Sequence, residues 1–427
     1  MKAASGYRMG FDRLSRLSMS SRTPISEKEF TLLMALLMSV VAISIDALLP
    51  SLGVIGGEMG VADVNRTQLI ISFIFAGMAI GQLVAGPLSD AMGRKPVLYA
   101  GLVLYLAGSL FCWLAQDFAL LLAGRCLQGL GVACPYVTAV SVVRDKYAGR
   151  DMARIMSLVM MIFILVPAAA PSLGLGIVSL AGWRAIFLFY IFYAVAIGGW
   201  IALRLEETLP PAHRVALTVR DFRHGLRVVL SNRTTTSYMV AMGLTFGGLI
   251  GYVGTSRQIF QDQFHAGAGF VLYFGGLALL LGVASMLNSR VVGRWGMRAI
   301  CNWAAAAIMA ASALFLALQA AMPVTLPMFV AYAGVLFFAF GLMFGNLNAI
   351  AMEPMGDVAG MASAIIGATS SIISLALGTL IGQLYDSTLR PIALGFFVLG
   401  LVSWLLMRGE RNWHARQAVI PARAGFP

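Results

Sequence analysis

The sequence contains little charge for its length. Only 11% of its 427 residues are Asp, Glu, Lys or Arg, whereas 59% are hydrophobic and the mean hydropathy is +0.86. Soluble globular proteins carry about 25% charged residues, and a single soluble core is outgrown at this length. The shortage of charge therefore excludes an ordinary water-facing surface, and the apolar residues must face lipid.

Cysteine is also scarce, and the positions of the cysteines argue against redox and metal chemistry. The four cysteines, Cys112, Cys126, Cys134 and Cys301, lie in apolar stretches with no CxxC pair and no neighbouring histidine. Such cysteines pack as small hydrophobic residues, so we expect no redox centre, no metal site and no cofactor. The sequence also lacks a Walker A string, which argues against an ATP-driven pump.

The sequence does contain apolar windows of about 20 residues, the length that crosses a bilayer as a helix. We predict twelve transmembrane spans, numbered in chain order, at about 30–50, 67–89, 97–115, 118–142, 154–180, 183–203, 237–256, 268–289, 299–319, 324–346, 360–383 and 389–407. A polar connector, 205–236, separates the halves 30–204 and 237–407, and the tails are 1–29 and 408–427. The predicted fold is all-α, with two six-helix halves.

The net charge of +12 would suggest a nucleic-acid partner if it were read alone. The basic residues, however, concentrate in the tails and in alternate short loops between spans, where they report topology. The loops on the other side contain only Arg66, Arg184, Arg257 and Arg390. We therefore predict no nucleic-acid binding and place both termini and the connector in the cytoplasm.

The segment after span 2 combines turn residues with opposite charges. In the string GPLSDAMGRK, Gly86, Pro87 and Gly93 permit a tight reversal. Asp90 and the basic pair Arg94 and Lys95 supply opposite charges beside the membrane. Taken alone, the basic pair is also explained as an anchor on the cytoplasmic side.

Span 4 contains an arginine, Arg125, about 10 Å from its outer end. An arginine there is costly unless it meets a partner or water, the alternative being that it snorkels to the interface. We predict Asp46 as its partner, because it is the only acidic residue well inside the predicted spans and lies at a similar depth. A proton carrier must be an acid that can be neutralised and recharged. The alternative for Asp46 is a solvated helix end.

Span 5 contains the string VPAAAPSLGLG, in which Pro167, Pro171 and Gly174 interrupt an otherwise apolar helix. Prolines kink a helix and glycines remove side-chain bulk. Without further information, the string is more typical of a membrane helix that is merely bent.

Together these strings resemble the major facilitator superfamily, and within it the Bcr/CflA branch of drug:proton antiporters. GPLSDAMGRK resembles the signature of the loop between spans 2 and 3, with Ala91 in place of a basic residue. The span-4 signature RxxQGxG is matched by Arg125, Gln128, Gly129 and Gly131. The span-5 string is similar to a loosened GPxxGG antiporter signature. The resemblance covers about residues 30–407.

The resemblance implies a non-enzymatic transporter of the major facilitator fold, working as a monomer in the bacterial cytoplasmic membrane. It implies export of small drug-like compounds by alternating access, with Arg125 tied to proton coupling. It also implies that Asp90 faces the start of span 11 near Gly360 and helps to close the cytoplasmic gate. Arg94 is then expected to reach Asp145 at the end of span 4.

Two alternatives remain open at this point. The same fold supports proton-coupled uptake of a metabolite, and a membrane sensor that transports nothing is a weaker alternative. The substrate pocket is poorly specified by the sequence. Five aromatic residues are candidates to line it, although each is also explained by packing or lipid contact: Tyr136, Phe163, Phe246, Phe274 and Phe344.

Overall fold

A computed structural model of the chain describes residues 25–215 and 218–423. The predicted N-terminal tail, 1–29, therefore lies almost entirely outside the described residues, as does the end of the predicted C-terminal tail. Throughout the described part the chain is helical and contains no β-strand, which confirms the predicted all-α class.

Twelve helices in the described ranges are long and apolar enough to cross a membrane, as predicted. The first six spans are Glu27–Glu58, Val64–Met92, Arg94–Leu114, Phe118–Lys146, Gly149–Ala181 and Arg184–Arg204. The second six are Arg233–Gln263, Phe270–Trp295, Met297–Ala321, Leu326–Met352, Ala359–Gln383 and Arg390–Trp413. The fold is the predicted arrangement of two six-helix halves.

Most helices extend beyond the apolar windows, because helices end where polar groups cap them rather than where apolar residues end. The Ser26 and Asp117 side chains accept hydrogen bonds from the Glu29 and Leu120 amides, which begins spans 1 and 4. At the other end of the chain, the helix of span 12 continues to Arg423, through most of the predicted tail 408–427.

The connector between the halves is not a simple loop. It contains a short 3₁₀ turn, Pro211–His213, and an α-helix, Val219–Ser231. This helix packs on span 11, where a Cβ placed on Gly225 would touch Met361. The connector thus contacts the second half directly on the side of the predicted gate.

Helix packing defines how the halves meet. Within the first half, span 4 packs against spans 2 and 3, while span 1 packs against span 5. Within the second half, span 7 packs against spans 11 and 12. Between the halves, span 2 lies along span 11 and span 5 lies along span 8. These two seams border any route between the halves.

Candidate functional site

Span 1 is broken beyond its midpoint, in the part predicted to lie towards the outer side. Its first helix ends at Asp46, a 3₁₀ turn covers Leu49–Ser51, and a second helix continues to Glu58. Pro50 has no N–H to donate to the Asp46 carbonyl. The Leu48 amide bonds the Ile45 carbonyl at 3.3 Å, so the Ser44 carbonyl lacks its usual helical donor. The break therefore releases an acceptor beside Asp46.

Arg125 of span 4 occupies this break. Its guanidinium donates to the Ser44 carbonyl at 2.9 Å, to the Ile70 carbonyl at 3.0 Å and to Gln128 Oε1 at 2.8 Å. Tyr190 of span 6 also donates to the Ser44 carbonyl, at 3.2 Å. Arg125 is fully buried, so the snorkelling alternative is wrong. Three acceptors stabilise its charge within the helix bundle.

Asp46 is not the ion-pair partner of Arg125 in this structure, which corrects the expected contact. Two backbone carbonyls bind the guanidinium instead: that of Ser44, freed at the break, and that of Ile70 in span 2. Asp46 is only 6% exposed, and its carboxyl group has no hydrogen bond or ion pair to any residue that the structure describes. Its span also continues for twelve residues, to Glu58, so Asp46 lies deeper than the predicted helix end suggested. A solvated helix end is therefore excluded.

The rest of the span-4 signature positions this arginine. Gln128 accepts from Arg125 and donates to Ser109 of span 3 at 2.8 Å. A Cβ on Gly129 would overlap the backbone of span 2 at Ile74, and one on Gly131 would reach the backbone of span 3. The two glycines allow span 4 to approach both neighbours closely.

The span-5 glycine serves the same site. A Cβ on Gly174 would overlap the carbonyl of Ala47, the residue after Asp46, whereas Gly176 has nothing within 4 Å. The prolines Pro167 and Pro171 both lie within the continuous helix Gly149–Ala181. Span 5 therefore presses directly on the break in span 1, and on its other side Ala168 meets Gly275 of span 8.

At the end of the bundle predicted to face the cytoplasm, the expected contact between Arg94 and Asp145 is present. Arg94 Nε and Nη2 donate to Asp145 at 2.8 and 3.2 Å, and Nη1 donates to Ser89 at 2.8 Å and to Asp90 at 2.5 Å. Arg94 is 2% exposed. It ties the ends of spans 2, 3 and 4 together and joins Asp90 to the same cluster.

The reversal after span 2 is shorter than predicted. Gly86 lies inside the helix of span 2, between Val137 of span 4 and Ala364 of span 11. Only Gly93 makes the turn, with φ +103°, a conformation that favours glycine. Glu207 then accepts from the backbone amides of Arg94 and Lys95 at 2.9 and 3.0 Å and caps span 3.

Asp90 also faces the second half, as expected. A Cβ on Gly360 would lie 3.7 Å from Asp90 Oδ2, at the start of the helix of span 11. The unpaired amides of a helix start carry a partial positive charge. One oxygen of Asp90 thus binds Arg94 in its own half while the other approaches span 11.

At the opposite end of the bundle, which is predicted to face outwards, the halves are joined by side-chain amides that the sequence did not reveal. Asn65 donates to the carbonyls of Gln383 and Tyr385 at 3.3 and 2.7 Å, and Gln383 donates to the Asn65 carbonyl at 2.8 Å. Gln258 of span 7 donates to Asn65 Oδ1 at 2.8 Å and accepts from Gln68 at 2.5 Å. We call Asn65, Gln68, Gln258 and Gln383 the outer amide cluster.

Between the two ends, polar contacts continue along the seam of spans 2 and 11. Thr379 donates to Ser72 at 2.8 Å, and Ser371 donates to Gln82 at 3.1 Å. With the outer amide cluster and Asp90, these contacts close the seam over the full length of both helices. The polar contacts named along this seam are neutral hydrogen bonds, apart from that of Asp90 at one end.

The five candidate pocket aromatics form three groups. Tyr136 and Phe163 have ring centroids 6.4 Å apart across spans 4 and 5, and Phe246 stacks on Phe344 at 4.1 Å across spans 7 and 10. Phe274 is 4% exposed and packs on Tyr252 inside the second half. The packing alternative thus describes Phe274, while the first two pairs lie on helices next to the seams.

Sequence comparison identifies relatives over most of the chain. Residues 31–379 match the description Major Facilitator Superfamily. An uncharacterized MFS-type transporter, YdgK of Bacillus subtilis, is 30% identical, covering 88% of this chain and 95% of the relative. A bicyclomycin resistance protein homolog of Haemophilus influenzae is 27% identical, covering 85% and 91%. A multidrug resistance protein, MdtL of Escherichia coli O81, is 39% identical, covering 43% and 49%.

Solved structures agree with the fold. The human organic anion transporter MFSD10 superposes with a TM-score of 0.66 at 17% identity, covering 89% of this chain and 99% of that one. A D-xylose-proton symporter superposes with a TM-score of 0.68 at 14% identity, covering 88% and 95%. At these identities the likeness establishes architecture alone. With twelve apolar helices and a family match over residues 31–379, this multi-pass membrane protein belongs to the major facilitator superfamily.

Proposed function

We propose that the protein exports small drug-like compounds from the cytoplasm in exchange for protons. The observation that carries the coupling is Asp46, a buried carboxyl group without a partner among the described residues, at the break in span 1. Relatives named for bicyclomycin and multidrug resistance support the substrate class. The residues of the site bind and release a proton and catalyse no covalent chemistry.

In this proposal, Asp46 takes a proton from the outer side and releases it to the cytoplasm. The turn Leu49–Ser51 that follows it contacts span 7 of the other half. A change of charge at Asp46 therefore acts on a segment that lies between the halves. A carboxylate without a partner is costly in a membrane helix, so each charge state favours a different hydration of the break.

Arg125 has two tasks in this proposal. Its bonds to the Ser44 and Ile70 carbonyls hold the break and so fix the position of Asp46. Its permanent positive charge is available to the ionised carboxylate when the break rearranges. The ion pair between Arg125 and Asp46 that was expected from the sequence then forms in a different state of the transport cycle from the state of this structure.

Alternating access needs closures at both ends, and the halves 30–204 and 237–407 are proposed as its moving units. Asp90 with the start of span 11 is the proposed inner closure, supported by its approach to Gly360. The outer amide cluster is the proposed outer closure, supported by its bonds from span 2 to spans 7 and 11. Export requires that each opens while the other is closed.

The proposed setting is the cytoplasmic membrane of a bacterium, with both termini inside and the monomer as the working unit. The excess of basic residues in the connector and in the inner loops supports this orientation. Tyr136, Phe163, Phe246 and Phe344 are proposed to contact the transported compound, because the two pairs flank the seams between the halves.

The test is expression in a bacterium that lacks its own efflux pumps, with a panel of antibiotics that includes bicyclomycin. We expect protection against at least one compound, and loss of protection in Asp46→Asn at equal amounts in the membrane. In proteoliposomes, substrate should drive protons in the direction opposite to its own movement. Movement of both in the same direction would establish uptake by symport instead. Absence of any substrate-dependent flux would overturn the proposal of a transporter.

A further inference from the structure

The second half has a cleft that the transport mechanism does not use. It opens where spans 8 and 9 meet, beside the end of span 12, and its volume is about 460 Å³. Its lining combines two cationic side chains, Arg298 and Arg411, with the aromatic Trp295 and the amide of Asn302. The remaining lining residues are Gly296, Met297 and Ala299. It is remote from Asp46, which lies in the first half near the opposite ends of the spans.

The charges around the cleft do not balance. Arg298 is shared by Glu353, at 2.9 Å, and Glu410, at 3.7 Å, so at this point one cation faces two acids. Arg411 on the facing wall is exposed and forms no ion pair with any residue in the described ranges. Arg294, one residue before Trp295, is exposed as well. Arg294, Arg298 and Arg411 together make three cations against two acids, so one positive charge beside the cleft is uncompensated and is available to a ligand.

The aromatic residues give the depth of the cleft in the bilayer. Trp295 and Trp303 are 50% and 57% exposed and pack edge to face with ring centroids 5.4 Å apart. Exposed tryptophans of membrane proteins concentrate at the level of the lipid headgroups. Nearby on span 12, Arg408 lies 4.0 Å above the ring of Trp404. An anion that enters the cleft is therefore at the depth of lipid phosphates.

We propose that this cleft binds the phosphate group of an anionic phospholipid of the cytoplasmic leaflet. Arg411 supplies the charge that distinguishes an anionic from a zwitterionic headgroup, and Arg298 forms the floor. The exposed faces of Trp295 and Trp303 lie against the glycerol and the upper acyl chain. Because the cleft joins the turn at Gly296 to span 12, a bound lipid connects spans 9 and 12. The proposal does not depend on the direction of transport.

The test compares lipid retention by the intact purified protein in nanodiscs containing equal amounts of phosphatidylglycerol and phosphatidylcholine. Native mass spectrometry should show that the wild-type protein preferentially retains phosphatidylglycerol. Arg411→Gln should reduce that preference by about fivefold, the effect of one cation near an anionic headgroup. The matched control is Arg150→Gln, which removes an exposed arginine from the same side of the first half and should leave the preference intact.

Three results would overturn the proposal. Equal retention of the two lipids by the wild-type protein would exclude a selective site. An equal loss in Arg150→Gln would show that net charge, and not this cleft, selects the lipid. Competition by millimolar inorganic phosphate as effective as that of the lipid would identify a site for a soluble anion. Preserved transport by Arg411→Gln would show that the variant is folded.

Discussion

At Asp46, one carboxyl group is proposed to bind the transported proton. Asn has almost the same size as Asp but cannot cycle its charge, and Asp46 has no hydrogen bond to a described residue that Asn would break. We expect Asp46→Asn to insert normally and to lose substrate-driven proton release from proteoliposomes, while substrate binding persists. Glu206→Gln, which removes an exposed carboxylate of the connector, is the control. Proton release that is unchanged in Asp46→Asn would remove this residue from coupling.

At Arg125, the shape of the side chain matters as much as its charge. The guanidinium reaches three buried acceptors in different directions, which the single ammonium group of lysine cannot do. An acceptor left without a donor costs about 1–3 kcal/mol. We therefore expect Arg125→Lys to lower the melting temperature in detergent and to impair transport. Arg150→Lys, the same change at an exposed arginine, should have no effect, and equal melting temperatures for all three proteins would refute this assignment.

The sequence predicted a contact between two charged side chains at the span ends. It did not predict the contacts in which the partner of a side chain is a backbone carbonyl. The resemblance to the major facilitator signature implied a contact between Arg94 and Asp145, and this contact is present. Arg125 was expected to meet a carboxylate, yet the carbonyl freed at Ser44 and the carbonyl of Ile70 bind it. No residue type in the sequence marks a freed carbonyl, since every residue has one.

At the scale of the helix, Gly174 and Gly176 provide a matched pair two residues apart. Alanine at Gly174 would overlap the Ala47 carbonyl and separate span 5 from span 1, whereas Gly176 faces open space. Alanine also favours the helix by about 1 kcal/mol over glycine. We expect Gly174→Ala to reduce both transport and melting temperature, and Gly176→Ala to preserve both. Equal behaviour of the two variants would mean that span 5 does not press on the break.

The helices themselves were largely predictable, and their ends were not. The twelve apolar windows correspond to the twelve spans, because a run of about 20 apolar residues is the length of a helix that crosses a bilayer. Span 1 was predicted to stop at Pro50, but it resumes as Leu52–Glu58. The outer amide cluster was missed because Asn65 and Gln383 are distant in sequence and individually resemble ordinary loop residues.

For the whole molecule, the two closures should control opposite openings. Asp90→Asn weakens the attraction to the start of span 11, and a loss of about 1 kcal/mol shifts the population about fivefold. We expect greater labelling of single cysteines at the cytoplasmic ends of spans 2 and 11, in a protein without the four native cysteines. Asn65→Ala should instead increase labelling at the outer ends. If labelling is unchanged in Asp90→Asn and transport is normal, Asp90 is only a solvated charge.

The chemistry of the outer amide cluster has a consequence for the conditions under which the protein can work. Asn and Gln side chains do not ionise, so their hydrogen bonds are the same in acidic and alkaline media. Nearby, Arg257 is paired with Asp262 at 3.2 Å, and the Thr388 hydroxyl lowers the pKa of Asp386, which keeps that carboxylate charged in mild acid. In the proposed mechanism, the acidity of the surroundings therefore acts on the transport cycle through Asp46 and not through the side chains of the outer amide cluster. In a bacterium that acidifies its own medium, the outer amide cluster would therefore remain closed while the concentration of protons available to Asp46 increases.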